Sequence, residues 1–104
     1  MTAGGYTLYR KGDPLTSRAA AQAILALLPT LQQAVYAYAY GCGPDGFTDI
    51  DLAIHFRSYS STYRTRRSEL TRAGLIMDTG RTRILHTGRS AIIWAITPPE
   101  YISS

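Results

Sequence analysis

From residue 17 to residue 40 the apolar positions recur at helical spacing. Over SRAAAQAILALL, Ala20, Ile24, Leu27 and Leu28 form one stripe, the alanines favour helix, and Thr16 or Ser17 stands where an N-cap is expected. Asp13-Pro14 marks a turn ahead of this helix, and Pro29-Thr30 interrupts the chain after it. A second helix is predicted over about LQQAVYAYAY, where Leu31, Val35 and Tyr38 with Ala34 and Ala39 fit a period of 3.6. YAYAY alone also fits an alternating strand; its helical neighbours decide for helix. On a helix, Tyr36, Tyr38 and Tyr40 spread over different faces, which suits core and interface better than a base-stacking platform.

GCGPDGF, with three glycines and a proline, predicts a tight loop. Thr48 then stands three residues before Asp51, a capping box with Asp in place of Glu, and a short helix over 49–56 follows. Its inner face is Leu52, Ala53 and Phe56, with Asp49 and His55 outward. RSYSS breaks the period, and Ser60 or Ser61 caps a further helix that runs through STYRTRRSEL to about Ala73. Gly74 sits at the expected left-handed end, with Leu75 placed to pack back on Leu70.

After Gly74 the pattern changes to strands, LIMDT and SAIIWAIT, separated by GRTRILHTGR. Thr-Gly-Arg occurs at 79–81 and again at 87–89, which suggests an antiparallel excursion with bends at both ends. Pro98-Pro99 ends the last strand. Residues 1–12, with Gly4, Gly5, Tyr6 and Tyr9, sustain no period and read as a flexible or loosely docked arm. The expected organisation is one α+β domain over 13–98, three to four helices followed by a β-hairpin, with a tail over 99–104.

Composition narrows the function classes. A chain of 104 residues, 45% hydrophobic, has room for one core and not two. Cys42 alone cannot form an internal disulfide, and with His55 and His86 it gives no zinc spacing, so no metal or cofactor is implied and a reducing, cytoplasmic location is expected. MTAGGYTLYRKG lacks a signal-peptide core, and AILALLP is far below a membrane span, so no membrane partner is expected. Asp45, Asp49 and Asp51 cluster at a helix start where capping explains them. With no nucleophile and base at a usable spacing and no phosphate-binding glycine loop, an enzyme is not expected.

Charge is informative once it is mapped. The net +4 comes from one third of the chain: Arg57 to Arg89 holds eight arginines against Glu69 and Asp78. Arginine's planar fork suits phosphate and base edges better than a lysine point charge. A merely solvated face usually mixes both signs and both basic residue types. The element order, with this charge on the last helix and the hairpin, is what a winged helix-turn-helix needs: a helix for the major groove and a wing beside it for phosphates or the minor groove.

GFTDIDLAIHF, STYRTRRSELTRAGLI and TGRTR…TGRSAIIWAI resemble the core of small winged-helix proteins of bacteriophages and prophages, with a broader likeness to MarR-type regulators, over roughly residues 30 to 97. The resemblance implies a recognition helix over Ser61 to Ser68 and a wing over Arg81 to Arg89. The long C-terminal dimerisation helix of the MarR pattern is missing here.

Helical geometry sorts the candidates. With Tyr63, Leu70 and the residues near Arg67 and Ala73 inward, the outer surface carries Ser61, Arg64, Thr65, Ser68 and Arg72. Arg64, Thr65 and Ser68 lead as base readers, with Ser60, Ser61, Thr62 and Arg72 beside them. Arg81, Arg83, His86 and Arg89 are the wing candidates; each is equally a solvated loop residue, and Arg81 and Arg83 share a face in a strand. Arg66 can pair with Glu69 along the helix, and Arg67 can reach Asp49 or Asp51 on the preceding helix. His55 and His86 read as surface histidines. Double-stranded DNA is the expected partner, bound by a monomer or a homodimer. The alternative is a winged-helix module that docks on another protein through the YAYAY face or residues 1–12.

Overall fold

The computed structural model describes residues 14–98, with side chains from Arg18 onward. The arm expected over 1–12 and the tail over 99–104 lie outside the described residues. Four helices, α1 (Pro14–Ala26), α2 (Thr30–Cys42), α3 (Asp49–Phe56) and α4 (Thr62–Arg72), precede an antiparallel pair, β1 (Ile76–Ile84) and β2 (Ser90–Ile96). This is the expected α+β order. No helix among the described residues is long and apolar enough to cross a membrane.

The start of α1 differs from expectation. Pro14 is its first helical residue, where a missing N–H loses nothing, so Thr16 and Ser17 lie inside the first turn and not ahead of it. Ala21 is buried, and Ile24, Leu25 and Leu28 pack on the core, whereas Leu27 is 84% exposed. The helix ends at Ala26, so the 3.6 period no longer governs Leu27, which turns outward as Leu28 turns in. In α2 the core residues are Val35, Tyr36 and Ala39, with Tyr38 and Tyr40 at its margin.

The 43–47 segment holds more than a loop. After a 3₁₀ turn over Gly43–Asp45, Phe47 exchanges two backbone hydrogen bonds with Trp94, at 2.8 and 2.7 Å, so β2 is bonded on both edges. Gly46, at φ +78°, lets the chain pass there: a Cβ would collide with the Trp94 carbonyl oxygen and with Ile93. A one-residue bridge leaves no periodic signal, which is why the sequence showed only a turn.

The helix ends around α3 and α4 follow their local signals. The Asp51 amide donates to Thr48 Oγ1 at 3.2 Å and the Thr48 amide to Asp51 Oδ2 at 3.0 Å, completing the capping box. α3 ends at Arg57, held left-handed at φ 55°. At the end of α4 the Leu75 amide donates to the Leu70 carbonyl and the Gly74 amide to that of Thr71, the two bonds of a Schellman ending. At its start Ser61 occupies the cap position without a side-chain bond, and Ser60 Oγ accepts weakly from the Thr62 amide at 3.3 Å.

The hairpin corrects the expectation of two bends. Ile76 pairs with Ile96 and Asp78 with Trp94, but Thr82 pairs with Ile92, so β1 carries extra residues between Asp78 and Thr82. The first Thr-Gly-Arg is therefore a bulge within β1, with Thr79 Oγ1 donating to the Ile93 carbonyl at 2.7 Å. The connection proper is residues 85–89. The core joins Val35, Tyr36, Phe47, Leu52, Leu70, Ile76 and Ile96 across all these elements.

Candidate nucleic-acid interface

Two buried residues, Arg67 and Leu70, fix which way α4 faces. Tyr63 joins them by stacking on Phe56 with ring centroids 4.2 Å apart. Ser60, Ser61, Thr62, Arg64, Thr65 and Arg72 are exposed, and Ser68 is half-buried with its hydroxyl accepting from Arg72 Nη1 at 3.3 Å. Ala73, expected inward, is exposed because the helix has ended at Arg72. Ser60 ties the turn together through Ser58 and Thr62, at 3.0 and 3.1 Å. Arg64 makes no hydrogen bond or ion pair with a described residue; it stands at the rim of a small pocket of about 90 Å³ beside Tyr59 and Ser60.

The other two arginines of α4 are structural. Arg66 pairs with Glu69 at 2.9 Å, and Gln32 of α2 donates to the same carboxylate at 2.8 Å. Arg67, only 8% exposed, grips Asp49 through Nε and Nη2 at 2.9 and 3.0 Å, donates to Thr71 Oγ1 at 3.2 Å, and lies 3.8 Å from the centroid of the Trp94 ring. Asp49, expected outward, is thus turned to α4, because a guanidinium buried at that seam needs a carboxylate. One side chain ties α3, α4 and β2 together. Trp94 was not foreseen in this role: it lies far from Arg67 in sequence and carries no local signal of contact.

The hairpin arginines divide in the same manner. Arg81 Nη2 donates to the Pro44 carbonyl at 2.7 Å, and Arg83 Nη1 to Asp51 Oδ2 at 2.8 Å. Both side chains reach back to the 44–51 segment, consistent with the shared face expected of them. His86 and Arg89 lie exposed in the 85–89 connection, and Ile84 and Ile92 are exposed in the strands beside it. Arg57, exposed at the end of α3, belongs to the same basic set, and its only sequence signal was the break in period at RSYSS.

The acids nearest α4 and the hairpin already have partners. Asp49, Asp51 and Glu69 each hold an arginine, and Asp78 Oδ1 accepts from the Gly80 amide at 2.8 Å. The exposed residues of α4, Thr62, Arg64, Thr65 and Arg72, offer guanidinium and hydroxyl groups and no carboxylate. Such a surface presents hydrogen-bond donors and unneutralised positive charge to an anion.

Within α2, burial pushes the Tyr36 phenol up to about 12. Burial and a hydrogen bond with Cys42 raise Tyr38 as well, and burial raises the Cys42 thiol. His55 is exposed, with its ring against Tyr38 and Phe56 at 4.4 and 4.6 Å. Among the described residues no three His, Cys, Asp or Glu side chains gather as a metal-binding set. No family model, curated protein or solved structure matches the chain.

Proposed function

We propose that the protein binds double-stranded DNA as a small winged helix-turn-helix domain, without enzymatic activity, in the role of a phage-type transcriptional regulator or a replication or recombination accessory factor. The observation that carries this reading is the one-sided distribution of charge about α4. Nearby carboxylates pair with Arg66, Arg67 and Arg83, while Arg64 and Arg72 are exposed and form no ion pair with a described residue. A surface evolved only to stay hydrated would interleave both signs.

In this reading α4 enters the major groove. Arg64, Thr65 and Ser68 read base edges, and the hydroxyls and amides of Ser60, Ser61 and Thr62 meet a phosphate at the start of the helix. Arg72 and Arg57 flank the groove, and Arg89 and His86 on the 85–89 connection contact the adjacent backbone. Arg81 and Arg83 serve first as braces that set the hairpin against the 44–51 segment, with their remaining N–H groups left to donate to the DNA backbone. The Arg67 clamp holds α4 at a fixed angle to α3, which positions the readers without contacting DNA.

Selection of bound fragments from a random duplex pool tests the proposal. A preferred sequence is expected to emerge, and Arg64→Ala is expected to shrink the preference for it by about tenfold to a hundredfold. A pool that stays random, or a preference that Arg64→Ala leaves intact, would refute the assignment of α4 as reader.

A further inference from the structure

The 85–89 connection is closed by two backbone hydrogen bonds of 2.8 Å, from the Leu85 amide to the Arg89 carbonyl and from the Gly88 amide to the Leu85 carbonyl, so the hairpin ends in a narrow, tied tip. Just behind it two β-branched residues lie open to solvent, Ile84 at 68% exposure and Ile92 at 40%. Cross-strand register sets their direction. Ile84 pairs with Ser90 and Thr82 with Ile92, so the four side chains share one face and the two isoleucines are diagonal neighbours on it. Along β2 that face continues to Trp94, over whose ring the Arg67 guanidinium of α4 lies. At about 3.3 Å per residue, Ile92 stands roughly 7 Å beyond Trp94, on the side of the hairpin against which α4 packs. The opposite face is already occupied, by Arg83 bound to Asp51 and by the buried Ile93.

Charge says what kind of partner this apolar pair can meet. Residues 79–99 hold three arginines and a histidine and no acid. Arg89 and His86 are exposed in the connection that Ile84 and Ser90 flank. A second hairpin brought to this face would set arginine against arginine, whereas a polyanion meets complementary charge. Apolar side chains framed by cations match the minor groove of duplex DNA, which has phosphates along both rims and stacked base steps at its floor. We propose that Ile84 and Ile92 form a wedge that enters the minor groove beside the α4 contact, parts a base step and bends the duplex. The proposal rests on the reading of α4 as the major-groove helix. About half a helical turn from a major-groove contact, the minor groove turns to the same side of the duplex. An apolar wedge there kinks DNA by about 20–90°, and the deformation is easiest at TA and CA/TG steps. The hairpin thereby selects a deformable step without a hydrogen bond to any base.

Ligase-catalysed circularisation of random-sequence duplex fragments about one persistence length long, about 150 base pairs, tests the wedge in the presence of the full chain. The full chain is expected to raise the yield of circles at least about tenfold. Replacing both Ile84 and Ile92 with threonine keeps the β-branching and removes the apolar ends. That double variant should retain the circular dichroism spectrum and the salt dependence of binding, since no cation is lost, while the gain in circles disappears. Ile84→Thr alone should lower the gain in the same direction. In a duplex of alternating T and A that carries 2-aminopurine, fluorescence should rise on binding as stacking is lost. A full chain that binds the fragments but leaves circularisation at its protein-free level would overturn the wedge and leave the reading of α4 standing. A gain that the double variant retains would overturn it equally. Absence of any association would remove the DNA-binding reading and the wedge with it.

Discussion

Arg64 and Arg67 stand less than one helical turn apart and end in opposite surroundings. Arg64 is exposed, without a partner among the described residues, and Arg67 is enclosed by Asp49, Thr71 and Trp94. The helical period separated them in the sequence, and the reach of Arg67 to Asp49 or Asp51 was legible because the two helices are consecutive. The choice of Asp49 was not, since it depends on the angle at which α3 meets α4. Arg66 with Glu69 was legible outright, being a contact within one helix. Removing the acid from the Arg67 clamp leaves a buried guanidinium without its counter-charge. Asp49→Ala is therefore expected to destabilise the domain by about 3 kcal/mol, the lower end of the range for a broken buried pair because Asp49 is partly exposed. A urea unfolding midpoint checks this, and an unchanged midpoint would show the clamp to be dispensable.

At the scale of elements, short-range chemistry was read well and long-range pairing poorly. The 49–56 helix, its capping box and the Gly74 ending were all set by residues within six positions of one another. The wing was expected over Arg81 to Arg89, but β1 runs on to Ile84 and pairing across the hairpin absorbs its first part. Thr79 satisfies the Ile93 carbonyl and turns an expected bend into a bulge, a result of cross-strand register that no local motif encodes. Phe47 was missed for the same reason. Its passage beside Trp94 needs a left-handed residue without a side chain at 46. Gly46→Ala is expected to cost about 2–4 kcal/mol through strain and displacement of β2. Thermal melting would reveal it, whereas Gly80→Ala, with open space around its Cβ position, should cost less despite a similar φ.

For the molecule as a whole, charge and ionisation are divided between elements. α2 itself carries no charged residue and holds tyrosines whose phenols resist ionisation, whereas α4 carries the outward arginines Arg64 and Arg72. An unfolded tyrosine loses its proton near pH 10, while native Tyr36 keeps its proton until about 12. Above pH 10 the native state then binds more protons than the unfolded one, so stability is full below pH 10 and falls as pH rises towards 12. Denaturant midpoints measured across that window should decline steadily, and a flat profile would contradict the burial of Tyr36. The basic third of the chain was visible in the sequence, but its net effect was not. Arg66, Arg67 and Arg83 are neutralised in ion pairs, two of them by acids that lie outside that third. Among the described residues, the arginines there without a carboxylate or carbonyl partner are Arg57, Arg64, Arg72 and Arg89.

That count sharpens the measurement that bears most directly on DNA binding. Binding of the protein to a random-sequence duplex is followed by fluorescence anisotropy across a series of salt concentrations. With Arg64 on base edges, Arg57, Arg72 and Arg89 on phosphate predict that the logarithm of the association constant falls with the logarithm of salt concentration at a slope of about −3 per bound chain. Weak binding with a slope near zero would contradict the account, because a face of unpaired guanidinium groups cannot engage duplex DNA without releasing counterions.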